Sequence, residues 1–190
     1  MLFMYLDTAN PPKVTVGIGN MLPNVAAAQA LPFVNTETKA PATPAEIEHA
    51  FKSVAAMKGS QAAGKYRQTP SIEITEDTAQ QLALTRVTHE FIPLLVRHFA
   101  GFDDYPLPAR RALLDMIYNM GWSSKDAKHG LITFGALRRA AEAGDWKTAA
   151  LHCHRKDTAP NSKRPSHATL RNEWTKRLFE QADQIAHFDR

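Results

Sequence analysis

Tyr5-Leu6-Asp7-Thr8-Ala9-Asn10-Pro11-Pro12-Lys13-Val14-Thr15-Val16-Gly17-Ile18-Gly19 is the stretch that decides the architecture. From Val14 to Gly19 β-branched residues alternate with small ones, which suits a half-buried strand. Ala9 to Lys13 is a turn by composition, and a longer connection than the tight two-residue hairpin turn. Residues 1–22 therefore read as a hairpin lobe. Asp7 and Thr15 are symmetric about Pro11, and residues symmetric about a turn face each other on one side of an antiparallel pair. This reading sets a carboxylate beside a hydroxyl. A carboxylate can activate water and a hydroxyl can hold that water in line. Water attack on one face of a sugar ring, with an acid on the other, is the geometry of an inverting glycosidase. Gly17 and Gly19 would keep the adjoining strand narrow enough for substrate to pass close to backbone. The same residues also fit a plain hairpin with an exposed aspartate at its mouth.

Downstream the chain loosens. Residues 23–73 are punctuated by Pro23, Pro32, Pro41, Pro44 and Pro70. Thr43-Pro44-Ala45-Glu46 reads as a helix start, with Thr43 as cap, Pro44 at the first helical position and Glu46 closing the box. A helix to about Met57 follows, then a mobile loop over residues 58–64. Thr75-Glu76-Asp77-Thr78 is a second cap. Leu82, Val87, Phe91, Leu94, Leu95 and Phe99 then recur at helical spacing. Residues 109–120 read as a fully buried core helix carrying Ala112, Leu113, Met116, Ile117 and Met120. Two shorter helices, 134–143 and 146–154, are separated by Gly144-Asp145 as stop and cap. Residues 156–165 form a polar loop. A last helix, 167–188, places Leu170, Trp174, Leu178 and Phe179 on one face. The fold class is α+β, a single domain over 1–190 with a hairpin lobe (1–22), an extended insertion with a helix (23–73) and a helical lobe (74–190).

Composition narrows the function classes. The chain has 190 residues and is 44% apolar, ordinary for a globular protein with its own core. No apolar run approaches the roughly 20 residues of a membrane span. Met1 to Leu6 is apolar but short and has no basic leader, so a signal peptide is not expected. The net charge of +4 and pI of about 9.3 favour polyanionic partners, bacterial wall polymer or nucleic acid. No base-reading motif accompanies the basic residues, which removes nucleic acid as the expected partner. Arg138, Arg139, Lys147, Arg155, Lys156, Arg171 and Lys176 read mostly as solvated helix faces. The single cysteine, Cys153, excludes an intrachain disulfide. His152-Cys153-His154 invites a metal reading, but adjacent residues of a helix point about 100° apart. A half-buried thiol between surface histidines is the expectation, and no metal site is assigned.

The hairpin segment, Tyr5-Leu6-Asp7-Thr8 and then Val14 to Leu22, resembles that of the phage-type lysozymes, the family 24 glycoside hydrolases. Their pattern is Y-x-D-T, a short turn, then T-x-G-x-G-H and an apolar pair. Arg110-Arg111-Ala112-Leu113-Leu114-Asp115-Met116-Ile117-Tyr118-Asn119-Met120-Gly121 resembles the central helix of that family. Phe134, Leu137-Arg138, Gly144-Asp145-Trp146 and Ala149-Ala150 follow in the family's order, and Arg171, Trp174 and Phe179 resemble the closing helix. The resemblance covers residues 7–22 and 75–180. It implies a lysozyme-like fold with a cleft between lobes, and a muramidase that cuts peptidoglycan between N-acetylmuramic acid and N-acetylglucosamine. It carries Asp7 over as the water-activating carboxylate and Thr15 as the water-positioning hydroxyl. Tyr118, Asn119 and His152 carry over as substrate-binding residues. No cofactor is implied.

The chain departs from the family pattern in three places. Family members carry the general-acid glutamate on an N-terminal helix ahead of the hairpin aspartate, whereas only six residues precede Asp7. The acid is therefore expected upstream of Met1, and the chain alone is expected to be inactive. Asn20 replaces the histidine after the second glycine. Residues 23–73 exceed the matching part of small phage lysozymes and resemble the longer versions in bacterial secretion-system effectors. That resemblance implies action in the periplasm or on the cell wall, with delivery by a secretion machine or release by phage lysis. An immunity protein or a machine component is then a candidate partner beside peptidoglycan. A catalytically inactive module that binds wall glycan or a partner protein is the alternative. Glu90 is the first glutamate within the chain to consider as a replacement acid.

Overall fold

The computed structural model describes residues 1–8, 11–59, 61–69, 71–122, 129–156 and 166–188. Its mixed helix and sheet content makes it an α+β protein, with small antiparallel sheets at one end of the sequence and helices over the rest. It divides into two compact units, Met1–Arg86 and Val87–Arg190. The boundary falls within a helical run and not near residue 73.

In the first unit, β1 (Tyr5–Leu6), β2 (Val14–Val16) and β3 (Asn20–Met21) form an antiparallel meander in that order. A second, two-stranded sheet pairs β4 (Val34–Asn35) with β5 (Ile72–Glu73). Helix α1 (Val25–Gln29) is capped by Asn24, whose side chain accepts from the Ala27 amide. Helix α2 (Pro44–Ala55) begins as its sequence requires, with a capping box between Thr43 and Glu46 and Pro44 in the first turn. Helix α3 (Glu76–Arg86) starts at Thr75, whose hydroxyl accepts from the Thr78 amide. One core joins these parts. Leu6, Val14 and Val16 of the meander pack with Phe33, Ile47, Val54, Tyr66, Ile72, Ile74 and Ala79. Residues 23–73 therefore share the hairpin's core and are not an appendage to it.

Two expectations for this unit change. The expected mobile loop at 58–64 runs into a short 3₁₀ helix, Ala63–Tyr66. Tyr66 is 1% exposed, and its hydroxyl donates to the Lys58 carbonyl and accepts from the Gln61 amide, which ties those two residues to the 3₁₀ helix. The expected strand from Val14 to Gly19 ends at Val16, because Gly17 (φ +64°) and Gly19 (φ +76°) both take the left-handed conformation of a turn. A Cβ on Gly17 would meet the Ala79 Cβ at 3.1 Å, so this glycine lets the turn press on α3.

The second unit is helical. Past Arg86 the helix widens into a π turn, Val87–Phe91, before α4 (Ile92–His98). Pro93 explains the change, since proline has no amide to donate back along the ladder. Helix α5 (Leu107–Met120) buries Ala109, Ala112, Leu113, Met116 and Ile117 completely, the i, i+3, i+4, i+7, i+8 stripe of an amphipathic helix. It is not buried all round: Arg111 and Asn119 are exposed. Helix α6 (Gly135–Glu142) is closed by Ala143 and followed by Gly144 (φ +68°), and Asp145 caps α7 (Trp146–Leu151) by accepting the Thr148 amide. Helix α8 (His167–Phe188) closes the unit against α5 and α7. Trp146 anchors this core between Tyr105, met edge-on at 4.9 Å, and Phe179, stacked at 6.4 Å.

The expected apolar face of α8 is corrected. Leu178 and Phe179 are buried, but Leu170 and Trp174 are 56% and 47% exposed. On these turns the inner face of the helix carries Asn172 and Thr175 instead, at 8% and 0% exposure. The expected turn residues Ala9 and Asn10, and most of the expected polar loop over 156–165, lie outside the described residues. No helix among the described residues is long and apolar enough to cross a membrane.

Candidate active site

Asp7 and Thr15 both lie on the hairpin of the first unit, though not directly opposite each other as symmetry about Pro11 requires. The register pairs Tyr5 with Thr15 and Leu6 with Val14, so the hairpin is centred one residue earlier. Asp7 lies opposite Lys13. Its amide donates to the Lys13 carbonyl at 3.0 Å, and the Lys13 amide donates to Asp7 Oδ1 at 2.8 Å. Asp7 and Thr15 stay on one face of the pair as diagonal neighbours, a spacing of about 7–8 Å between backbones. The Thr15 hydroxyl donates to the same Lys13 carbonyl at 3.1 Å. One backbone oxygen thus gathers the amide of the candidate base and the hydroxyl of the candidate positioner. Thr15 is 2% exposed, while Asp7 is half-buried. Arg86 braces the next turn, donating from Nη1 to the Gly19 carbonyl at 2.9 Å.

The other sequence-derived residues lie in the second unit. Tyr118, on α5, is half-buried and meets Phe91 edge-on at 5.4 Å. Asn119 is exposed, but its side chain turns back on its own helix. Nδ2 donates to the Asp115 carbonyl at 2.7 Å and to Asp115 Oδ1 at 3.1 Å. His152 is exposed at the C-terminal cap of α7, which ends at Leu151 and short of the expected residue 154. Cys153 is completely buried, not half-buried. Its thiol donates to the Ala150 carbonyl, and burial pushes its pKa up to about 11. His154, like His152, is exposed.

Sequence reasoning missed a polar cluster around Asp115. Arg155 and Arg171 both donate to its carboxylate, Arg155 to Oδ2 and Arg171 to Oδ1. Arg155 also donates to Thr175 Oγ1 at 3.1 Å, and the side chain of Asn172 bridges the amide and the carbonyl of Arg155. Arg155 was expected on a solvated face, yet its side chain is 8% exposed. Burial lowers its guanidinium pKa, and Asp115 works in the opposite direction. The signal in the sequence was the acid itself. Asp115 is the one acid of a helix whose inner stripe is apolar, and a carboxylate brought to the edge of a core demands a cation.

His98 and Trp122 stack at 4.0 Å in the same unit. Burial, with Arg97 and Arg138 nearby, holds the imidazole below the usual histidine range. Among the glutamates, Glu46 is held in its capping box, Glu48 pairs with Lys52 and Glu73 with Arg67. Glu90 is exposed on the π turn. Comparison with models of known families and with curated proteins finds no match for this chain.

Proposed function

We propose that this chain is a lysozyme-type peptidoglycan hydrolase, a muramidase acting on the bond between N-acetylmuramic acid and N-acetylglucosamine. The observation that carries the reading is the joint hold of Lys13 on Asp7 and Thr15. It stands in the segment where the sequence resembles the catalytic hairpin of phage-type lysozymes. The Thr15 hydroxyl spends its one proton on the Lys13 carbonyl, so toward a water it can only accept. A water that donates one hydrogen to Thr15 and the other to Asp7 keeps a lone pair free for attack on the sugar carbon. Asp7 then takes the proton as general base. The low exposure of Thr15 suits one trapped water better than bulk solvent. The proton for the leaving sugar comes, in this reading, from the glutamate that the resemblance places ahead of Asp7. Peptidoglycan as substrate places the action in the periplasm or on the wall, reached through a secretion machine or by phage lysis, and an immunity protein would be the natural partner.

The test is muropeptide release from purified peptidoglycan, read by mass spectrometry, for this chain and for a form extended at its N-terminus into the parent reading frame. Asp7→Asn should abolish nearly all release by the active form without altering its circular dichroism. Thr15→Ala should slow it by roughly tenfold to several hundredfold, the scale of a lost positioning contact. Full activity in Asp7→Asn removes the proposed base. Failure of both forms to release any product supports instead a module that binds glycan without cutting it.

A further inference from the structure

Helix α8 has two faces with apolar residues. Asn172, Thr175, Leu178, Phe179 and Ala182 line the one that packs into the helical unit. The second face is exposed. Leu170 and Phe188 stand about five turns and about 27 Å apart, so they lie on one line along the helix. Trp174, Arg177, Gln181 and Ile185 fall within about 60° of that line. Leu170, Trp174 and Ile185 are about half exposed, and Phe188 is 90% exposed. The face is therefore apolar at both ends and polar in the middle, where Arg177, Glu180 and Gln181 are exposed. Glu180 meets Lys176 of its own helix at 3.7 Å, a loose surface pair, and Arg177 has no ion pair among the described residues. Single apolar residues scattered over a surface need no explanation, but four along one line of one helix do.

We propose that this face is covered by a second copy of the chain, with the two α8 helices antiparallel about a two-fold axis. A two-fold interface must be complementary to itself, and the order of residues along the face meets that condition. Turned end for end and centred near residue 179, it sets Leu170 and Trp174 of one copy against Phe188 and Ile185 of the other, at both ends. In the middle it sets Arg177 against Glu180 and Gln181 of the second copy, twice by symmetry. A parallel pair would put Arg177 on Arg177 and Glu180 on Glu180, like charge on like. A lipid surface suits a continuous apolar face rimmed by cations. Here Arg177 and Gln181 interrupt the face, and Glu173, Glu180 and Gln184 stand exposed along its border. Area sets the strength. At about 150–250 Å² for a full side chain of this size, the four apolar residues expose on the order of 400–500 Å² per chain. That is about half of the roughly 800 Å² per partner of a standard interface, so the association is weak and in the micromolar range. The pairing is independent of the hydrolase reading, since all of its residues lie on α8.

The test is sedimentation of the full chain from about 5 to about 500 µM. The mass should rise from 21.1 kDa toward twice that value across the range. Trp174→Ala and Phe188→Ala should each weaken association by at least about tenfold, the scale of a truncated aromatic anchor. Circular dichroism should not change, because both side chains are exposed. Arg177→Glu should weaken association roughly threefold to tenfold, and adding Glu180→Arg should restore it. Direction is read by cross-linking under a mild oxidant. Leu170→Cys mixed with Phe188→Cys should give a linked dimer faster than either variant alone, and Cys153 does not compete because it is buried. A monomer throughout the range overturns the proposal. So does a dimer indifferent to Trp174→Ala and Phe188→Ala, a charge swap that restores nothing, or Leu170→Cys linking to itself as fast as to Phe188→Cys. Monomers that bind anionic vesicles through Trp174 also overturn it and give the face to a lipid surface. The main measurement uses the unsubstituted chain, so a variant that fails to fold does not decide it.

Discussion

Replacing Asp115 by asparagine preserves the shape of the side chain and removes the one charge that balances Arg155. The Arg155 side chain is 8% exposed, so the mutation leaves a cation buried against a neutral amide. Breaking a buried pair from one side costs about 3–5 kcal/mol. The asparagine oxygen still accepts one of the guanidinium donors, which places the expected loss near the lower end, about 3 kcal/mol. Arg171 has 48% of its side chain exposed. Its pair with Asp115 is discounted for solvent to about 0–1 kcal/mol, which sets the expected cost of Arg171→Gln. Arg155→Met should cost less than Asp115→Asn, because Asp115 keeps Arg171. In the Arg155→Met background, Asp115→Asn should fall to about 1 kcal/mol, a coupling of about 2 kcal/mol. The assay is urea unfolding followed by tryptophan fluorescence. All three tryptophans, Trp122, Trp146 and Trp174, belong to the helical unit, so the signal reports the unit that holds the cluster. A loss under about 1 kcal/mol for Asp115→Asn, or an equal loss for Arg171→Gln, would refute the claim that the buried charge of Arg155 accounts for most of the cost.

Cys153 should resist iodoacetamide at pH 8 until denaturant is added, because its thiol is buried with a pKa of about 11 and alkylation needs the thiolate; rapid labelling of the native chain would contradict the burial. His98 should titrate by NMR below the ordinary histidine value of about 6.5, and Arg138→Gln should bring it part of the way back. Its folded-state pKa is depressed, so the stability carried by the neutral imidazole is complete above the ordinary value and is lost as pH falls through the lowered one. A midpoint at or above the ordinary value would sink both statements.

Helix punctuation was legible because it is local chemistry. Thr43, Pro44 and Glu46 lie within four residues of one another, and Gly144-Asp145 are adjacent, so each start and stop needs no information from elsewhere in the chain. The buried stripe of α5 was readable for the same reason, five apolar positions within nine residues. The hairpin register was not. It depends on the conformation of the connecting turn, and the composition of Ala9 to Lys13 admits more than one centre. The inner face of α8 was illegible for a different reason. Asn172 and Thr175 are buried because Arg155 and Asp115 come to them from 17 and 60 residues away in sequence, and helical periodicity cannot register partners on other helices. Periodicity counted Leu170 and Trp174 as core because it weighs hydrophobicity alone.

The corrected register changes what joins the two candidate catalytic residues. Side chains facing each other across a hairpin would be coupled only by their own packing. Here the coupling runs through backbone: the Lys13 carbonyl fixes the Asp7 amide and the Thr15 hydroxyl together, and the Lys13 amide orients the Asp7 carboxylate. Backbone groups cannot be lost by substitution at position 13 unless proline removes the amide, so the geometry is independent of the lysine side chain, which is exposed. The arrangement also assigns the hydroxyl its direction. With its proton committed to Lys13, the Thr15 hydroxyl would, in the proposed reading, turn lone pairs toward the water, and Asp7 lies on the same face of the strand pair. Two acceptors on one face orient a water by both of its hydrogens and leave its lone pair outward. That is the requirement for attack by water, and a hydroxyl free to rotate would meet it less well.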